Sequence, residues 1–134
     1  MDKTHLMWAN FIKWREENNV DTVLDDYEFP QLNDLLKVYP HGYHKICKKG
    51  RSIYIDRIGM TDLDTINTVI TNEQMVYHNI HSYEELILKK MHCLSIEQGK
   101  RMEQCTNIMD LTGFGIAKMN KKTWALVKLM SGVA

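Results

Sequence analysis

Residues 39–59 read YPHGYHKICKKGRSIYIDRIG. Gly50 marks a turn after Lys48 and Lys49, and residues 52–58 alternate as a strand should. Ile53 and Ile55 fall on one face of that strand, Tyr54 and Asp56 on the other. The same stretch carries His41, His44 and Cys47 at a spacing that suits a metal, and three chemistries compete for it. It reads as a metal site, as a catalytic His/Cys pair, or as the mouth of a binding cavity, and its surroundings must separate these.

Upstream, residues 3–18 place Met7, Phe11 and Trp14 at helical spacing, with Trp8 and Ile12 widening the stripe. Arg15, Glu16 and Glu17 face away. A helix this short is marginal alone, so its stripe is expected to pack on something. Asp21 and Thr22 offer a cap, and residues 31–38 form a second short helix through Leu32, Leu35 and Leu36, stopped by Pro40.

Downstream, residues 62–69 allow a helical turn. Thr71, Asn72, Glu73 and Gln74 fit a capping box that opens a helix running to about Lys90. Val76, Ile80, Tyr83, Leu86 and Ile87 mark its apolar face; Glu84, Glu85, Lys89 and Lys90 lie on the wetter side. Residues 95–103 read as a polar helix, and residues 105–111 as a second, buried strand leaving through Gly113 and Gly115. Asn120 is placed to cap a last helix carrying Trp124, Leu126, Val127, Leu129 and Met130. Strand, helix, strand, helix implies an α/β fold with parallel strands and a right-handed crossover. Two parallel strands make too small a sheet, and the helical pattern is still running at residues 130–134, so a fragment of a larger domain is expected.

Composition narrows the function classes. The 134 residues carry 17 basic and 17 acidic side chains, a net charge of zero, which argues against nucleic-acid binding by bulk electrostatics. The polar start, Met1-Asp2-Lys3-Thr4-His5, lacks the pattern of a secretory leader, and no apolar run reaches the ~20 residues of a bilayer span. Three scattered cysteines, Cys47, Cys93 and Cys105, suggest free thiols in a reducing compartment. Nine methionines fit a loosely packed core or a cavity of irregular shape.

The chemical motifs are incomplete. His41, His44 and Cys47 lack a fourth ligand, and His78 and His81, one turn apart on the long helix, sit beside its apolar stripe rather than within it. These histidines read as polar surface or hydrogen-bonded groups. Neither Cys47 nor Cys105 has a base-orienting partner or an oxyanion element in recognisable setting. Gly113-Phe114-Gly115 begins like a dinucleotide fingerprint, but Lys118 stands at the third glycine position, so a tight strand exit accounts for it. Tyr43, Tyr54 and Tyr83 belong to three different elements and can converge on one interior, either as amphipathic core residues or as hydroxyls around a cavity.

A family resemblance runs through these segments in order. It joins Met7-Trp8 with Phe11-Ile12-Lys13-Trp14-Arg15 and Asp21-Thr22, then Tyr39-Pro40-His41-Gly42-Tyr43-His44-Lys45 and Lys49-Gly50-Arg51-Ser52-Ile53-Tyr54. Tyr83-Glu84 and Cys105-Thr106-Asn107-Ile108-Met109-Asp110-Leu111-Thr112-Gly113 complete it. The chain resembles the phosphatidylinositol/phosphatidylcholine transfer proteins with a CRAL-TRIO lipid-binding domain, over nearly its whole length. The resemblance implies an N-terminal helical region ending in residues 1–20 and a partial CRAL-TRIO domain over residues 21–134. That is an α/β fold with helices packed on a few parallel strands and the sheet incomplete. It matches roughly the middle of a full-length member, without the gating helix, the remaining strands or the phosphatidylinositol site.

The resemblance further implies a non-enzymatic protein that encloses one phospholipid as its ligand, needs no cofactor or metal, and exchanges lipid at membranes. It would be cytoplasmic, touching membrane surfaces transiently, with no nucleic-acid partner. The headgroup residues it implies are Tyr43, Tyr54 and Tyr83, with Cys105 and Asn107 where better-known members carry two hydroxyl residues on the second strand. Asn107 can donate and accept, whereas Cys105 is a poor hydrogen-bonding substitute. Ser52 replaces the usual proline of the Gly-Arg-Pro turn, which should loosen it. A non-transferring interaction or lipid-sensing module that keeps only part of the scaffold is the alternative.

Overall fold

A computed structural model describes residues 2–62, 64–115 and 121–131. Helix α1 (Lys3–Glu17) leads through a 3-10 turn (Val20–Thr22) into the short α2 (Val23–Asp26) and α3 (Leu32–Val38). Strands β1 (His41–Ile46) and β2 (Ser52–Asp56) form a hairpin, followed by the turn Ile58–Met60, α4 (Ile66–Val69) and α5 (Asn72–Glu85). A π-helical turn (Leu86–Lys90) continues α5 into α6 (Met91–Gln98), before β3 (Thr106–Met109) and α7 (Lys121–Ser131).

The three strands lie in the order β1-β2-β3. Parallel pairing of β2 with β3 agrees with the crossover expected from the sequence, and the long helix makes that crossover. The sheet is mixed rather than parallel, because β1 pairs antiparallel with β2. Nothing in His41-Gly42-Tyr43-His44-Lys45-Ile46 alternates cleanly. Its register shifts between Tyr43 and Ile46, and Lys45 sits at φ 56°, as a bulge on an edge strand does. Strand β2 also stops at Asp56, two residues short of the expected end, since Ile58 already turns.

Thr71 caps α5 as its sequence demands. Its hydroxyl accepts from Gln74 N at 3.2 Å while the Gln74 side chain accepts from Thr71 N at 2.9 Å. Thr71→Ala is expected to lower the unfolding free energy by about 1 kcal/mol, read from denaturant midpoints. The helical pattern extends past Lys90 to Gln98, where Gly99 takes the left-handed conformation that closes a helix. Residues 100–103, expected as helix, are therefore not helical.

Two apolar clusters hold the elements together. Leu35, Tyr39, Ile66, Ile70 and Met75 join α3, α4 and α5; Val20, Val23 and Ile80 join the segment after α1 to the middle of α5. Trp14 packs on the second cluster, but the rest of the α1 stripe does not pack as expected: Trp8 is 61% exposed and Met7 67%. What anchors α1 is polar. Arg15 bonds Glu84 at 2.9 Å and Asp21 besides, so Arg15 does not face away and Glu84 is buried rather than on the wet side. A buried carboxylate needs such a partner, and bidentate guanidinium is the strongest available. The Asn120 cap lies outside the described residues, as do Lys118 and the side chains of Leu126 and Met130.

Candidate functional site

Alternation along the strands sets one face of the sheet. Tyr43 stands opposite Tyr54 across β1 and β2, and Tyr54 opposite Asn107 across β2 and β3. The Tyr43 and Tyr54 rings meet edge-on with centroids 5.0 Å apart, a favourable arrangement of their quadrupoles. Two positions further along the register, on the same face, His41 stands opposite Asp56 and Asp56 opposite Met109.

Helix α5 runs over this face and leaves a cavity of about 400 Å³ beneath it. Tyr43, Tyr54, Tyr83, Cys105 and Asn107 all line it, so the five residues singled out in the sequence are brought together. Leu86, Met109, Phe114 and Val127 add apolar wall, giving a largely hydrophobic hollow with a few polar groups. Tyr43 donates to the backbone oxygen of Ser82 at 3.4 Å, and burial pushes its hydroxyl up to about 12. Burial likewise raises Tyr54, so both hydroxyls stay protonated donors. Cys105 donates its thiol to the backbone oxygen of Ser52 at 3.3 Å, leaving little donor capacity for a ligand. Asn107 and Tyr83 are exposed, so the hollow opens on their side.

Residues that sequence reasoning missed line the same cavity: Tyr39, Asp56, Thr61, Asn79 and Ser82. Asp56 was legible, because it shares the Tyr54 face by alternation. Tyr39, Asn79 and Ser82 carry no local signal; only the packing of α3 and α5 on the sheet brings them in.

The histidines find a structural role. His41 Nδ1 lies 2.8 Å from the backbone oxygen of Tyr39, His41 Nε2 lies 2.9 Å from His78 Nε2, and His78 Nδ1 lies 2.6 Å from the Tyr27 hydroxyl. A carbonyl only accepts, so His41 donates from Nδ1 and accepts at Nε2. His78 then donates from Nε2 and accepts the Tyr27 proton at Nδ1, with both rings neutral. Burial holds His41 below the ordinary histidine range and takes His78 down to about 4. His44 is exposed on β1, away from this chain of bonds, and Cys47 sits at the hairpin turn, accepting from the Thr106 hydroxyl at 3.7 Å. The sequence triplet His41, His44 and Cys47 is thus dispersed, and no group of three His, Cys, Asp or Glu suited to a metal exists among the described residues. Among those residues, too, no helix is long and apolar enough to cross a membrane.

Comparison with known proteins places this geometry. The family described as CRAL/TRIO domain matches residues 35–133. The chain is 35% identical over 127 residues to the phosphatidylinositol/phosphatidylcholine transfer protein SFH4 of Arabidopsis thaliana, covering 95% of this chain and 21% of that protein. It is 32% identical over 133 residues to SFH12 of the same plant, named likewise, covering 99% and 24%. To the SEC14 cytosolic factor of Yarrowia lipolytica it is 29% identical over 115 residues, covering 86% and 23%. The chain spans about a fifth to a quarter of the length of these relatives.

Proposed function

Because this chain belongs to the CRAL/TRIO domain family, we propose that it binds one phospholipid and passes it between membranes without chemical catalysis. The observation that carries this reading is the cavity: five residues from β1, β2, α5, the approach to β3 and β3 itself converge on one apolar hollow. In the proposed mechanism Tyr43, Tyr54 and Tyr83 orient the headgroup with their hydroxyls, and Asn107 adds a donor and an acceptor from β3. The acyl chains lie along Leu86, Phe114, Met109 and Val127, where transfer from water supplies the driving force. The relatives' names support phosphatidylinositol and phosphatidylcholine as the substrate class.

Loading requires contact with a bilayer surface. The exposed stripe of α1, with Leu6, Met7, Trp8, Phe11 and Ile12, offers apolar and aromatic groups for such contact in a cytoplasmic protein. That same stripe favours the second reading, an interaction module that uses the scaffold without transferring lipid.

Transfer of labelled phosphatidylcholine and phosphatidylinositol between donor and acceptor vesicles tests the proposal. The chain is expected to carry at least one of them, and the double variant Tyr54→Phe, Asn107→Ala to carry it about tenfold less well, as the loss of two polar contacts implies. A folded monomer that moves neither lipid and retains none on purification overturns transfer and leaves the interaction module.

A further inference from the structure

Two atoms of the cavity wall have no hydrogen-bond partner among the described residues. Asp56 Oδ1 and Thr61 Oγ1 are closed to solvent and meet no hydrogen-bonding group among the described residues, although both side chains line the hollow. Native interiors rarely leave such groups unpaired, and an orphaned carboxyl oxygen is the more costly kind. Asp56 is also the only formally charged side chain among the described residues that line the cavity. Its other oxygen is held, because the Tyr39 hydroxyl donates to Asp56 Oδ2 at 3.1 Å. The carboxyl torsion is soft, so a modest turn about that bond brings Oδ1 to the cavity surface.

Position along the sheet says which part of a ligand arrives there. Asp56 lies two residues beyond Tyr54 on the same face, about 7 Å along the strand. A headgroup held by Tyr54 therefore extends its terminal group toward Asp56. At the Tyr43 end, Lys90 Nζ stands 4.9 Å from the ring centroid, although it also pairs with Glu85. Lys90 is thus paired and does not line the cavity, so among the described residues Asp56 alone charges the face, and it attracts a cationic terminal group.

The chemistry of the orphans then chooses between ammonium groups. A phosphate beside Asp56 meets like charge with no cation among the described residues of the wall. A trimethylammonium is attracted by the charge and the tyrosine rings but has no N–H, so it leaves both oxygens unpaired. A primary ammonium has three donors and satisfies both. Resting on the phospholipid reading above, we propose that Asp56 and Thr61 form a subsite for the primary ammonium of an aminophospholipid. The cavity then selects a phosphoethanolamine headgroup over a phosphocholine headgroup.

The test loads the chain from vesicles containing phosphatidylethanolamine and phosphatidylcholine in equal parts and reads the retained lipids by native mass spectrometry. The ethanolamine lipid is expected to be enriched about tenfold over the choline lipid, and Asp56→Asn to bring the ratio close to that of the vesicles. Thr61→Val keeps the charge and is expected to lower the enrichment about threefold, which decides the matter should Asp56→Asn fail to fold. Retention of choline lipid at or above its share, or an unchanged ratio in the variants, overturns the subsite while leaving phospholipid binding intact. Retention of no lipid at all overturns both.

Discussion

Replacing Gly59 with alanine is expected to destabilise the protein by about 3 kcal/mol, lowering the thermal midpoint by roughly 10 °C. Gly59 is buried where the chain leaving β2 crosses the chain leaving β3. Its N–H donates to the Asp110 backbone oxygen at 2.9 Å, and Asp110 N donates to the Asp56 oxygen at 2.8 Å. A Cβ on Gly59 would lie 2.0 Å from the Thr112 oxygen and 2.7 Å from the carbonyl carbons of Leu111 and Thr112. All three are backbone atoms, so no side chain can swing aside, and the crossing must open. Ile58 and Phe114 flank this crossing and line the cavity, so lipid uptake should fall together with stability. Gly115→Ala is the control: a Cβ there meets nothing within 4 Å among the described residues, and its unfolding midpoint should match the parent. Equal midpoints for all three proteins in a thermal melt would show that the crossing carries no such constraint.

Acid should weaken the fold through the histidine chain. His78 titrates near 6.5 when unfolded and is held down to about 4 in the folded protein by burial and by the neighbouring His41 and His81. A depressed value means that the folded state binds fewer protons, so this stabilisation is complete above 6.5 and lost as pH falls toward 4. Its size is about 3 kcal/mol. His41 is lowered as well and adds in the same direction. Asp56 works against the loss, since burial raises it and the folded state takes up its proton first. The other groups around the pair, Tyr27, Tyr39 and Tyr54, keep their protons throughout this range because burial raises them too. Unfolding free energies measured between pH 7 and pH 4 should therefore fall steeply for the parent. His78→Gln, which offers a donor and an acceptor without titrating, should flatten the curve; equal slopes would refute the assignment.

The residues that name the fold and those that build the site differ in how far their signals reach. The capping box at Thr71 reads from four neighbouring residues, because both of its hydrogen bonds close within one turn. The alternation of Ile53, Tyr54, Ile55 and Asp56 likewise sets which side chains share a face, and the family resemblance drawn from these segments holds. By contrast, β1 hides behind a glycine, a bulge and exposed polar residues, since an edge strand needs no continuous apolar face. Glu84 reads as a surface residue of α5 until Arg15, 69 positions earlier, is seen to reach it.

Helix positions, strand faces, the α/β order and the family are local or patterned properties, and 134 residues of sequence suffice for them because short-range geometry enforces each one. The closing of β1 against β2, the burial of Glu84, the pairing of His41 with His78 and the exposed stripe on α1 are different in kind. They depend on contacts across 6 to 69 positions, made between different elements rather than within one. So does the hollow itself. Tyr43, Tyr54 and Asn107 share a face through strand register, but only α5 lying over that face turns them into the wall of a cavity and leaves Asp56 Oδ1 and Thr61 Oγ1 without hydrogen-bond partners among the described residues.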